Sequence, residues 1–251
     1  MIDPKVVNRL LNVTTIEELW DLHTRQMADY GFDRLIYGCT RFRTETSLGD
    51  PDDFVILSNH APEYIDTFID QGLYFHAPMV RWSLGNDGAC SWSILNDRLA
   101  AGEMTAQERA VLEFNQAHGV TAGYSISFKS LRPRMKAAMA LTARRGATQA
   151  EVDQLWSEVG ETVLALNNLA HLCILSLPYE SPKRALTSRQ REVLGWVGDG
   201  KTVQDIAMLM ELTPATVEKH LRLARKALSV ETTAQAVLKA AFQNQIFFLD
   251  A

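Results

Sequence analysis

Apolar residues recur at helical spacing along most of this chain, and strand-like alternation is confined to its first two thirds. Residues 4–30 open helically, with Val6, Val7, Leu10 and Leu11 as a first stripe. Thr14 and Thr15 with Glu17 and Glu18 give a fresh capping signal. Ile16, Leu19, Trp20, Leu22, His23 and Met27 then carry a second helical stripe to Gly31. Residues 34–43 and 54–58 hold the β-branched and aromatic residues of strands, separated by the turn-rich stretch 47–53. Tyr64, Ile65, Phe68 and Ile69 predict a helix over 62–72, Pro78 begins a short one, and 88–93 reads as a strand containing Trp92. Thr105 and Glu108 form a capping box for a helix through His118. Residues 123–130 and 136–144 are two alternating strands joined by Arg132-Pro133-Arg134. Thr148 and Glu151 form another box, opening a long helix to Leu175. Residues 176–185, with Pro178 and Pro182, read as a linker.

The last quarter changes character and loses its strands. Thr187 and Gln190 make a capping box, Val193, Leu194 and Val197 follow helically, and Gly198-Asp199-Gly200 ends the helix. Thr202 caps a short second helix carrying Ile206, Ala207 and Met210. Thr213 before Pro214 starts a third helix over 214–228. Val217, Leu221, Ala224 and Leu228 are its buried stripe, while Thr216, Lys219, His220, Arg222, Leu223 and Lys226 fall away from it. A short helix, a tight connection and a helix with a basic outer face match helix-turn-helix geometry. A fourth helix over 232–242 has Ala236, Val237, Ala240 and Ala241 on one face. The expected architecture is α+β: an α-β-α sandwich sensor domain with an antiparallel sheet (1–175), a linker (176–185), and an all-α four-helix helix-turn-helix domain (186–251).

Charge sharpens that division. The chain has 251 residues and a net charge of −5, yet residues 183–251 carry ten Lys or Arg against seven Asp or Glu. A mildly basic end beside an acidic remainder fits contact with double-stranded DNA at one end only. Cys39, Cys90 and Cys173 lack metal-ligand spacing, so neither a metal nor a resident cofactor is expected. The start of the chain lacks a secretory pattern, and Asn167, Asn168 and His171 interrupt the longest apolar run, so a cytoplasmic protein without a membrane span is expected. Catalysis is not expected either. No Gly-x-Ser-x-Gly, phosphate-cradling glycine loop or His-Glu-x-x-His occurs, and the strands do not alternate as a phosphoacceptor receiver requires.

Several spaced features now converge. Leu186-Thr187-x-Arg189-x-x-Glu192-Val193-Leu194, Gly200-Lys201-Thr202, Asp205-Ile206-Ala207, Thr216-Val217-x-x-His220 and Lys226-Ala227-Leu228 stand in order. Together they resemble the LuxR-type helix-turn-helix output domain of quorum-sensing receptors. Gln190 stands where many such receptors carry glutamate, and Thr232 near where they carry arginine. The resemblance implies a transcriptional regulator that pairs through its fourth helix and meets a palindromic operator as a homodimer, with the 148–175 helix a second pairing surface. Lys219, Arg222 and Lys226, supported by Arg225, are the expected phosphate contacts. Thr216, Lys219, His220 and Leu223 are expected to approach base edges, and Lys201 with Thr202 to take a phosphate at a helix N-terminus.

The front half carries its own cluster: Tyr64, Phe68, Tyr74, Phe75, Trp82 and Trp92, with His60 and His76. Such a set is either an ordinary core or an apolar pocket with a few polar groups at one end, able to hold an amphipathic ligand. The autoinducer-binding domain of LuxR-type receptors has Trp-x-x-x-Tyr, then Asp-Pro, then Trp, then Gly. Here Tyr64, Phe68, Pro78, Trp92 and Gly123 take the matching positions, and His60 falls where many members have a pocket tyrosine. The resemblance implies an N-acyl-homoserine lactone as effector, with Tyr64 in place of the tryptophan that donates to the lactone carbonyl. Ala77, however, replaces the aspartate that accepts the ligand's amide N–H. A buried N–H without a partner costs roughly 1–3 kcal/mol, so another acceptor is required, with His60, Tyr74 and His76 as candidates. The expected ligand-binding set is therefore Tyr64, Phe68, His60, Tyr74, His76, Trp82 and Trp92, with Ala137, Ala138 and Ala140 leaving room for a tail. The alternatives are a non-lactone ligand or a protein partner.

Overall fold

The computed structural model describes residues 3–179 and 184–246, which divide into two compact units. Among the described residues there are eleven α-helices and one five-stranded sheet. The N-terminal unit takes residues 1–13, 17–49 and 55–175; the C-terminal unit takes 14–16, 50–54 and 176–251.

The N-terminal unit begins with α1 (Pro4–Asn12) and α2 (Ile16–Asp29). Strands β1 (Phe32–Thr40), β2 (Val55–Ser58), β3 (Gly88–Ser91), β4 (Gly123–Phe128) and β5 (Lys136–Ala143) form an antiparallel sheet in the order β2-β1-β5-β4-β3. Between β2 and β3 lie α3 (Pro62–Ile65), a π turn (Asp66–Asp70), a 3-10 turn (Leu73–His76) and α4 (Pro78–Gly85). Then α5 (Ser93–Ala100) and α6 (Ala106–Ala117) precede β4, and α7 (Gln149–Ser176) closes the unit. The capping boxes read from sequence are present: Thr105 and Glu108 bond reciprocally, and Glu151 accepts from both the backbone and the hydroxyl of Thr148.

Three local expectations change. The helix expected over 62–72 holds α-helical geometry only through Ile65, then widens so that Gln71 N–H donates to Asp66 O. Trp92 lies beyond β3, at the N-cap of α5, a helix the sequence pattern did not announce. Its short, mixed stripe leaves no residue of α5 buried, and hence no periodic signal.

Helix α7 covers one face of the sheet. Its 28 residues suffice in length and apolarity to cross a bilayer, but its inner face is built into this core. Tyr37 Oη and His171 Nδ1 lie 2.9 Å apart, Phe128 stacks on His171 at 4.2 Å, and Tyr124 stacks on Trp156 at 3.8 Å. Asn167 of α7 meets His23 of α2 at 3.0 Å and donates to Val163 O. Burial lowers His23 and His171 to about 4, which keeps both neutral near pH 7.

The C-terminal unit contains α8 (Ser188–Gly198), α9 (Val203–Leu209), α10 (Pro214–Ala227) and α11 (Thr233–Phe242). Val193, Leu194, Ile206, Val217, Leu221, Ala224, Leu228, Ala236 and Ala240 form its core. The acidic turn Asp50–Asp53 belongs to this unit as well. Arg184 donates to Asp50 at 2.5 Å, and Lys239 Nζ lies 2.7 Å from Asp53 Oδ2, with Lys239 and Asp53 both buried.

Candidate functional site

The two faces of the sheet differ in what they carry. Leu35, Tyr37, Tyr124, Ile126, Phe128, Met139 and Leu141 point toward α7 and are buried. The opposite face presents Ile36, Gly38, Ala138 and Ala140, all only partly buried although they lie on inner strands. Ser125 and Ser127 complete this face, and Ser127 donates to Ser83 O of α4. This face is thus lined by small, partly buried side chains. Ala137, expected to contribute room here, alternates to the α7 face and is 2% exposed.

The aromatic set meets this face through Trp92. Tyr64 stacks on His60 at 4.5 Å, on Phe68 at 5.4 Å and on Phe114 of α6 at 5.2 Å. Its phenol donates to Asn115 Oδ1 at 3.0 Å, and burial raises its pKa well above the usual tyrosine range. Trp92 donates from Nε1 to Ser125 Oγ at 2.9 Å and lies over Gly123. A Cβ on Gly123 would fall 3.0 Å from the Trp92 ring and 2.1 Å from Leu141 O, so only glycine fits. Tyr74 is buried against Phe75 at 4.2 Å, with its phenol pushed up to about 12 by burial. Trp82 is half-buried on α4, and the Ala77 methyl is enclosed.

His76 does not join them. It ends the 3-10 turn facing solvent and is set aside as the missing acceptor. Burial and the nearby Arg34 charge lower His60 to about 4, so this ring is neutral. His60 Nε2 and Thr142 Oγ1 are buried without a hydrogen-bond partner in the protein. Asn115, Phe114 and Thr142 escaped the sequence reading. Phe114 could have been found from the α6 stripe; Asn115 and Thr142 carry no local signal.

In the C-terminal unit, α9 and α10 are joined by a turn in which Glu211 adopts φ +54° and Leu212 N–H returns to Ala207 O. Val217, Leu221, Ala224 and Leu228 are buried, whereas Lys219, Arg222 and Lys226 are exposed and Thr216, His220 and Leu223 half-buried. One helix thus carries a continuous polar and cationic outer face. Arg225 is tied to α11 through Thr233 Oγ1 at 2.8 Å. Lys201 and Thr202 are exposed, but the Asp205 carboxylate already accepts from both the N–H and the hydroxyl of Thr202. The start of α9 is therefore neutralised from within, and the exposed Lys201 lies close enough for its charge to act on Asp205. Among the described residues no cluster of His, Cys, Asp and Glu could hold a metal ion.

Comparison with known proteins matches both units. The autoinducer binding domain family covers residues 15–174, and the bacterial regulatory proteins of the luxR family cover 184–240. The transcriptional activator SolR of Ralstonia nicotianae is 26% identical over 218 residues, 84% of each chain. Among solved structures, Escherichia coli SdiA aligns over 97% of both chains at 18% identity with a TM-score of 0.50. The complex of SdiA with octanoyl-rac-glycerol gives 0.52 at the same identity and coverage. The N-acylhomoserine lactone dependent LuxR family factor CepR2 of Burkholderia cenocepacia gives 0.53 at 18% identity, over 68% of this chain and 93% of that one.

Proposed function

Because this chain belongs to the LuxR-type autoinducer-binding transcriptional regulators, we propose that it is a cytoplasmic receptor that holds an amphipathic signal against the open sheet face and reads a palindromic operator as a homodimer. The ligand reading is supported by the half-open sheet face of Ile36, Gly38, Ala138 and Ala140, to which Trp92 is tied through Ser125, and by the stacked His60, Tyr64 and Phe68. Tyr74 and Trp82 extend that lining. Acyl chains fit such a place because apolar area removed from water contributes roughly 25 cal/mol per Å². Ligand binding then stabilises the folded N-terminal unit by mass action.

The signal is an N-acyl-homoserine lactone, with a head-group contact set unlike that of receptors carrying tryptophan and aspartate at positions 64 and 77. A second reading is favoured by Ala77 and by the commitment of Tyr64 to Asn115: an amphiphile without a lactone, of the kind bound in the SdiA complex with octanoyl-rac-glycerol. Mass spectrometry of small molecules extracted from the purified protein tests the proposal. Recovery of an acyl lactone supports the first reading, and a lactone-free acyl compound supports the second. Purified protein that is ligand-free, folded and competent for DNA would instead point to regulation by a protein partner.

On the DNA side, the exposed Lys219, Arg222 and Lys226 take phosphates, and Thr216, Lys219, His220 and Leu223 meet base edges. Lys201 adds a phosphate contact. Pairing uses α11 and α7, where Leu238 and Leu172 are 56% and 62% exposed.

A further inference from the structure

We propose that Asp53 is a positioning residue for DNA reading: through Lys239 it sets the carbonyl end of α10, and with it the angle at which the outer face of that helix meets the duplex. The inference rests on α10 being the reading helix, and it names a residue far from α10 in the chain on which the placement of that helix depends.

The last carbonyls of a helix have no donor within the helix. At the end of α10 the N–H groups of Ser229 and Val230 turn back to Lys226 O and Arg225 O, with Ser229 at φ +50°. Leu228 O is met instead by a side chain, the Lys239 ammonium of α11 at 2.8 Å. Ser229 Oγ accepts from Arg184. Two cations therefore hold this end of α10, which suits the negative end of its dipole. Both are enclosed, Lys239 at 8% and Arg184 at 7% exposure, and a buried cation is stable only beside a counter-charge.

Asp53 supplies that counter-charge within the C-terminal unit. Its Oδ2 lies 2.7 Å from Lys239 Nζ, and its Oδ1 lies 3.5 Å from Arg184 Nε. Asp50 accepts from the same guanidinium at 2.5 Å. Gln243 donates to Asp53 at 3.4 Å and accepts from Gln245 at 2.9 Å. Gln245 in turn accepts the Leu186 N–H ahead of α8. One carboxylate, on the turn before β2, thus anchors a buried network that reaches both the end of α10 and the entry to α8.

Charge alone argues the other way. Asp53 adds a negative charge to the unit that offers Lys219, Arg222 and Lys226 to phosphates, so a carboxylate with no other role would weaken the hold on DNA. Its enclosure against Lys239 assigns it to geometry, on which base readout depends far more than phosphate attraction does.

The test uses the full chain, a duplex it selects from a random pool and a scrambled duplex of equal length, with thermal unfolding in parallel. Asp53→Asn should lose about tenfold in affinity for the selected duplex. It should hold the scrambled duplex as before, at an unchanged salt slope, because no phosphate contact is removed. Asp53→Leu combined with Lys239→Met replaces the ion pair by apolar side chains, which should return stability to the parent's level. The selected duplex should still bind about tenfold more weakly to it, since Leu228 O has lost its cation. Parental stability together with parental discrimination in that double variant would leave Asp53 a structural residue only. Asp53→Asn weakening both duplexes equally, or tightening both, would also overturn the assignment, the first as a general loss of fold and the second as charge alone. If the parent prefers no duplex, or if Lys219→Ala holds the selected one unchanged, the reading by α10 falls and takes this inference with it.

Discussion

Tyr64 has its hydroxyl engaged inside the protein. The family resemblance made it a donor to ligand, but the phenol proton goes to Asn115, 51 residues away in the chain. Tyr64→Phe should therefore lower ligand-free stability by about 1 kcal/mol in urea titration, with little change in the affinity for a neutral acyl probe. A large loss of affinity with unchanged stability would restore Tyr64 to the head group. Glu211 offers a second residue-scale expectation. A side chain at φ +54° is strained by roughly 1 kcal/mol relative to glycine. Glu211→Gly should stabilise the C-terminal unit by about that amount, partly offset by the freedom glycine gains when unfolded. Differential scanning of the full chain would read it as a higher second transition.

Among the elements, those whose cause is local were legible beforehand. Thr105, Thr187 and Thr202 each precede a residue that returns the bond three positions on, and the helices begin where those pairs stand. Strands β4 and β5 were readable from alternation alone. What escaped has a tertiary cause. The placement of Trp92 at the start of α5 goes with its packing on Ser125 and Gly123 of the sheet, and no spacing within ten residues encodes it or the widened turn after Ile65. The candidate site divides the same way: its aromatic residues were visible as composition, while Asn115 became the partner of Tyr64, and Thr142 was enclosed, only through the fold. For α10 the sequence stripe and the buried stripe coincide. Lys219→Ala, on its exposed side, should weaken operator binding and reduce the slope of log affinity against log salt by about one. Stabilisation by ligand should persist, since Lys219 belongs to the other unit. Equal loss of both in parallel titrations would refute that division of labour.

For the molecule as a whole, acid is the informative stress. His23, His60 and His171 sit near 4 in the fold, against 6.5 when exposed. Between those values the unfolded chain takes up protons that the folded chain refuses, so the stability these histidines provide is complete above about pH 6.5 and is lost as pH falls toward 4. The loss should reach about 1 kcal/mol per pH unit for each histidine. Urea midpoints measured from pH 7.5 to 4.5 should decline with that slope, and replacing His171 by phenylalanine should flatten it by one proton. The C-terminal unit has a different weakness, in the buried pair of Asp53 and Lys239. Lys239→Met should cost about 3 kcal/mol, because the enclosed carboxylate would lose its 2.7 Å partner and keep the Gln243 amide at 3.4 Å and Arg184 at 3.5 Å.

That acidic turn is encoded more than 120 residues before the helices it serves. A recombinant fragment trimmed at the interdomain proline stretch would leave it behind, and with it the counter-ions of Arg184 and Lys239. Poor yield or feeble binding from such a truncation would report on missing carboxylates rather than on the reading helix, and splicing the Asp50–Asp53 peptide back through a short tether is the control that tells them apart.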